Sequence, residues 1–262
     1  MKILVIPDVH GRTFWKNAVE KREDYDNIVF LGDYLDPYDF EKISVGAAIE
    51  NFREIIDFSK DKDNVTLLLG NHDMPYFSDD YYKLSWYHCR HSKKYHNDIH
   101  MLFDKNKDMF NVACTCDNIL FTHAGCTPGW IFTVFTEDYR LTTLDDLVFS
   151  LNNLLNTNEG LKYLYMVSRD RGGLDKYASC MWADVSETFW YQEMLRNPEL
   201  NIAPQSRDII NIKQVFGHTL QAYYNKEGGI DFGDALELEN NKMLDNGAAY
   251  ILDTDSFTIE RL

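Results

Sequence analysis

The chain has 262 residues, 45% of them apolar and 26% charged, which is the make-up of a soluble globular protein large enough to bury a core without a disulfide staple. Against 26 lysines and arginines stand 42 aspartates and glutamates, a formal charge of −16 that disfavours general nucleic-acid binding and contact with anionic lipid. The five cysteines follow no framework spacing and no run approaches the ~20 apolar residues of a membrane span, so a reducing, cytoplasmic location without a membrane partner is expected.

The opening MKILVIPDVHG places a short apolar run, too brief for a signal-peptide core, directly before polar residues. It reads as a strand over 3–6, and β-rich runs over 27–31 and 65–69 repeat the pattern. Between them, 14–22 and 43–58 carry apolar residues at helical spacing, among them Ile43, Ala47, Phe52, Ile55 and Ile56. This alternation predicts parallel strands joined by right-handed helical crossovers, the βαβ signature of an α/β fold. From 74 the pattern turns polar and aromatic, with Tyr76, Phe77, Tyr81, Tyr82, Trp86, Tyr87 and Tyr95, and predicts a helical insertion over about 76–108. Strands follow over 110–116 and 119–122. A largely helical segment then spans about 140–200, with helix from 144 to about 165, a loop carrying SRDRGG and MWADV, and a helix near 187–196. The last strands are predicted over 213–216, 249–253 and 257–260. No repeat or Pro/Gly/Ser linker divides the chain, so 1–262 is read as a single domain.

Unusual residues gather where predicted strands end, the position at which open α/β sheets bind ligands. PDVHG offers Asp8 and His10, which share a face of an extended chain and can chelate one cation. GDYLD offers Asp33 and Asp36, GNHD offers Asn71 and His72, FTHAG offers His123, and VFGHT offers His218. Each alone has an ordinary explanation as a turn or helix cap. Together, five strand-end sites supply Asp, His and Asn without a thiolate, a donor set suited to Mn²⁺, Fe or Zn²⁺.

In this order the motifs resemble those of the calcineurin-like metallophosphoesterases, in particular bacterial and phage members similar to serine/threonine phosphoprotein phosphatases. The likeness runs from Asp8 to the DNGAAYILD stretch beginning at Asp245. It implies a two-sheet β-sandwich flanked by helices and two metal ions, foremost Mn²⁺. Asp8 and His10 would bind the first ion, Asp33 would bridge both, and Asn71, His123 and His218 would complete the second site. His72 would be the catalytic histidine, protonating the leaving oxygen, with Asp36 orienting it. Two such ions clamp phosphate oxygens and acidify a bridging water. The expected activity is hydrolysis of a phosphomonoester on a small molecule, nucleotide or phosphoprotein, including phosphoserine or phosphothreonine. Symmetrical dinucleoside polyphosphate hydrolysis is the enzymatic alternative. A non-catalytic scaffold like the retromer subunit of this superfamily is the other, disfavoured here because His72 is present.

The eukaryotic phosphatases carry Arg after the second Asp of GDxxD, where this chain has Pro37. Arg169 and Arg171, in SRDRGG, are candidates to bind substrate phosphate in its place; a surface turn accounts for them equally well. Trp182 and Asp184 read as neighbours of the site. His88, Cys89, His91, His96 and His100 read as a solvated helical face in preference to a second metal site, and Cys114 with Cys116 as half-buried strand residues.

Overall fold

The computed structural model describes residues 1–21, 24–85, 88–135, 143–188, 212–219, 223–224, 230–231, 236–237 and 240–262. Strand β1 (Lys2–Ile6), helix α1 (Phe14–Lys21), strand β2 (Asn27–Phe30), helix α2 (Val45–Ser59) and strand β3 (Val65–Leu68) form the predicted βαβ units, and β1, β2 and β3 pair in parallel. Helix α2 starts two residues after its apolar pattern because Ser44 caps it, its hydroxyl accepting from Ala47 N at 3.1 Å. The insertion is helical as expected, with α3 (Met74–Phe77), α4 (Asp79–Ser85) and α5 (His96–Lys105).

The strand predicted over 110–116 is two strands. β4 (Phe110–Asn111) extends the first sheet beside β3, whereas β5 (Ala113–Cys116) belongs to a second sheet, paired antiparallel with β6 (Ile119–Thr122). The chain changes sheets at Val112. Asn152 makes this possible, its Oδ1 accepting from Val112 N at 2.8 Å and Ala113 N at 3.0 Å in place of a ladder partner. Asn152 sits on α7 (Leu144–Asn153), which lies between α6 (Pro128–Val134) and α8 (Asn158–Leu164). The helix expected near 187–196 lies almost wholly outside the described residues.

Later strands are β7 (Lys213–Phe216), the short β8 (Tyr223–Tyr224), β9 (Ile230–Asp231) and β10 (Leu236–Glu237), then β11 (Asn241–Met243), β12 (Tyr250–Asp253) and β13 (Thr258–Arg261). The first sheet runs β13-β12-β1-β2-β3-β4 and the second β10-β11-β7-β6-β5, with β8 and β9 paired separately. Between β10 and β13, β11 had no signal in sequence, because its three residues Asn241, Lys242 and Met243 carry neither an apolar run nor alternation.

Period two accounts for the layering. Ile3 and Val5 of β1 face the second sheet, packing with Val29, Leu68, Phe121 and Val215, while Leu4 and Ile6 face a core that includes Trp15, Phe52, Ile55 and Phe103 from the helices. With both faces covered, β1 is apolar at every position from Ile3 to Ile6, and only its exposed first residue, Lys2, is charged. The fold is thus an α/β two-sheet sandwich flanked by helices. Among the described residues no helix is long and apolar enough to cross a membrane, and the five cysteines are free.

Candidate active site

All five motifs sit at the carboxyl ends of β1, β2, β3, β6 and β7, on one rim of the sandwich. Space there is so short that two turns exclude a side chain. A Cβ on Gly70 would lie 2.2 Å from Asp33 Oδ1, and one on Gly217 would lie 2.4 Å from Asp8 Oδ1. Glycine therefore precedes Asn71 and His218 because the carboxylates of other strands occupy its flank.

The backbone is left-handed at His10, Asp33, Asp36 and His218, with φ of 46°, 52°, 54° and 66°. Each such residue costs about 1–3 kcal/mol and persists only where its surroundings over-determine it. Asp73 does much of this holding. Its Oδ2 accepts from Asp33 N at 2.6 Å and Gly70 N at 2.9 Å, and its Oδ1 from Tyr34 N at 3.0 Å. The carboxylates of Asp33 and Asp8 splice strand ends in the same way: Asp33 Oδ1 accepts from His72 N at 2.8 Å, and Asp8 Oδ1 from His218 N at 2.9 Å. Sequence reading took Asn71 and His72 from GNHD and assigned Asp73 no part in the site.

Two groups of potential metal ligands result, Asp8 with His10 and Asp33, and Asp33 with His123 and His218, each with its ligand atoms within 4.8 Å of one another. Asp33 is common to both, its Oδ2 lying 3.5 Å from His10 Nε2 and 3.5 Å from His123 Nε2. Tautomers are set by carbonyls that can only accept. His10 Nδ1 donates to Leu35 O at 2.8 Å and His123 Nδ1 to Leu31 O at 2.9 Å, so each Nε2 presents a lone pair inward. Asn71 Oδ1, at 2.9 Å, and His218 Nδ1, at 3.0 Å, close on His123 Nε2. His10 Nε2, His123 Nε2, Asn71 Oδ1 and the Asp33 carboxylate are thus buried acceptors gathered in one place, a donor set that a cation would satisfy.

The site opens into a cavity of about 220 Å³ lined by Tyr38, His72, Arg90, Arg171 and Trp182 together with His10, Asp33, Asn71 and His218. Arg171 is braced there, its Nε donating to Asp184 Oδ2 at 2.8 Å and its Nη2 to Thr219 Oγ1 at 2.6 Å. Arg169 does not line the cavity; its Nε points to Leu174 O at 3.5 Å. Arg90 was absent from the sequence reading. It comes from the insertion, stacks 4.0 Å over the Tyr38 ring, and donates through Nε and Nη2 to Asp36 O at 3.3 and 3.0 Å. No spacing marks it in sequence, since it reaches the site through a fold-back of the insertion.

A family model for calcineurin-like phosphoesterases matches residues 1–222. The chain belongs to that family. The structure of a cold-active protein tyrosine phosphatase from a psychrophilic Shewanella species superposes on all of this phosphoesterase and 80% of its own length, at 18% identity and a TM-score of 0.52. A single-site mutant of a cold-active protein tyrosine phosphatase matches with the same coverage and identity at a TM-score of 0.54. These likenesses establish the fold. No curated protein matches the chain in sequence.

Electrostatics in the phosphoesterase divide its histidines by task. Burial holds His10 and His218 well below the ordinary imidazole value, which keeps them neutral, the state in which an imidazole can bind a cation. Burial also pulls on His72, but the Asp33 and Asp36 carboxylates outweigh it and raise His72 above the ordinary value. Burial opposes ionisation of Asp33, yet His123, His72 and His10 around it bring its carboxyl down to about 2. The histidines of the insertion are neither a solvated face nor a metal centre. His91 is stacked between Tyr76 and Tyr82, at 4.6 and 4.5 Å, and its Nε2 lies 2.9 Å from His96 Nδ1. Among the described residues, only the two groups at the cavity bring three or more such ligand atoms together.

Proposed function

We propose that this phosphoesterase hydrolyses phosphomonoesters at a dinuclear metal site. The observation that carries the reading is the position of Asp33 Oδ2, equidistant at 3.5 Å from the inward nitrogens of His10 and His123. Asp8, His10 and Asp33 would hold one ion, and Asp33, Asn71, His123 and His218 the other; Mn²⁺ suits this oxygen and imidazole set, as do Fe and Zn²⁺. Ions held there supply Lewis acidity and charge to set against the phosphate oxygens.

The residues supply the rest. His72 Nδ1 faces only acceptors, Arg90 O at 3.3 Å and Asp36 Oδ2 at 3.5 Å, so its first proton resides there and Nε2 carries the second when the ring is charged. As a water oxygen forms the new bond to phosphorus and gives up its proton to solvent, the leaving oxygen departs with the electron pair of the old bond and takes the proton from His72 Nε2, which solvent then replaces. Arg171, fixed by Asp184, and Arg90 bind the phosphate oxygens. A cavity of about 220 Å³ admits a phosphate head.

Hydrolysis of p-nitrophenyl phosphate and of its bis ester, with Mn²⁺ and after chelation, tests this reading. Monoester turnover should require metal, disappear in Asp33→Asn, and fall ~10²–10⁴-fold in His72→Ala. Metal-independent turnover, or activity confined to dinucleoside tetraphosphate, would overturn it.

A further inference from the structure

Asp36 occupies a strained position, left-handed at φ 54°, and its grip on His72 is loose: Oδ2 is 3.5 Å from His72 Nδ1, beyond a good hydrogen bond. A carboxylate so placed can rotate unless its other oxygen is tied. The tie is Tyr76. Its hydroxyl accepts from Ser92 N at 2.7 Å, and because that N–H can only donate, the hydroxyl proton must go to Asp36 Oδ1, also 2.7 Å away. The polarity of the chain is thereby fixed from Ser92 through Tyr76 to Asp36. Oδ1 is satisfied and Oδ2, which has no other hydrogen-bond partner, is left to His72.

The same insertion holds the remaining atoms of the pair. Arg90 donates twice to Asp36 O, and its own carbonyl accepts from His72 Nδ1 at 3.3 Å. Tyr76 is itself fully buried, its ring pinned by His91, which Tyr82 backs in turn. The histidine and tyrosine cluster therefore has a use that neither a second metal site nor a surface helix explains.

We infer that Tyr76 is a positioning residue for catalysis, which, with His91 behind it, orients Asp36 so that His72 presents its acidic proton to the leaving oxygen. The inference rests on His72 being the general acid. Its signature is selective: a positioned acid matters most when the leaving oxygen is a poor leaving group, as in phenyl or alkyl phosphates, and least for p-nitrophenolate. A merely structural tyrosine would lower turnover of every ester alike.

The experiment compares kcat and KM on p-nitrophenyl, phenyl and alkyl phosphates for wild type, Tyr76→Phe, His91→Ala and His72→Ala, each loaded with Mn²⁺ and checked for metal content and thermal unfolding. Tyr76→Phe keeps the stacked ring and loses only the hydroxyl. It should lower kcat on alkyl phosphate by ~10-fold or more with little change on p-nitrophenyl phosphate and with KM unchanged. His91→Ala should show the same ordering of substrates with a smaller loss. If His72→Ala is leaving-group-dependent while folded Tyr76→Phe and His91→Ala are uniform across the esters, the positioning role is wrong and the acid stands. If His72→Ala is itself uniform, the acid assignment fails and the inference falls with it.

Discussion

The cavity has two walls built on different principles. One is made of strand ends, where ligand residues are fixed by the backbone itself: left-handed turns, glycines flanked by carboxylates, and Asp73 binding three N–H groups. The other is made of the insertion, where Tyr76, His91 and Arg90 act through side-chain stacking and hydrogen bonds. The first wall tolerates no added atom, because hard-sphere contacts set its geometry. The second is a set of replaceable side chains, and that is where a substrate preference can change without disturbing the ligands.

The sharpest way to break this contrast is to add a methyl group to the first wall. Gly70→Ala should cost at least about 3 kcal/mol of stability, since its Cβ meets the carboxylate and backbone of Asp33, and denaturant unfolding of the metal-free protein measures it. At the cavity, Arg171→Ala should raise KM for monoesters ~10–100-fold at nearly constant stability, because a charge-assisted contact to phosphate is worth about 1.5–3 kcal/mol. Steady-state kinetics checks it, and an unchanged KM would remove Arg171 from substrate binding.

A smaller effect concerns protons. His218 is held neutral by burial well below 6.5, so below that pH the unfolded chain takes up a proton that the folded chain refuses, and stability falls as pH falls. In the metal-free protein, the advantage of wild type over His218→Gln should shrink by about 1 kcal/mol between pH 6.5 and 5.5, as read from denaturant midpoints. A change of similar size is expected on the second wall: Tyr82→Leu should cost about 0.5–1.5 kcal/mol by loss of its stack with His91, with metal content unaltered.

The strand-end residues were readable because their chemistry is local. A strand, a glycine and a ligand follow within a few positions, as in GNHD, and the family likeness added their order along the chain. The sandwich needed that likeness, since apolar runs do not tell which sheet a strand joins, and the split at Val112 depends on Asn152, some 40 residues away. Asp73 and Arg90 were missed for the same reason. Asp73 acts on the amides of Asp33 and Tyr34, and Arg90 on the carbonyl of Asp36, 54 residues off. Arg171 was readable as a candidate and so was Arg169. The ion pair to Asp184 and the hydrogen bond to Thr219 separate the arginine that lines the cavity from the one that does not.

Metal stoichiometry tests the proposal that Asp33 is shared between two ions, without reference to any substrate. Metal-depleted wild type and Asp33→Asn would be titrated with Mn²⁺ and the bound metal counted after gel filtration. Two ions per wild-type chain, with both sites weakened together in Asp33→Asn, is the predicted result. One ion in wild type, or a variant that keeps one site at full affinity while losing the other, would contradict a carboxylate shared between two metals.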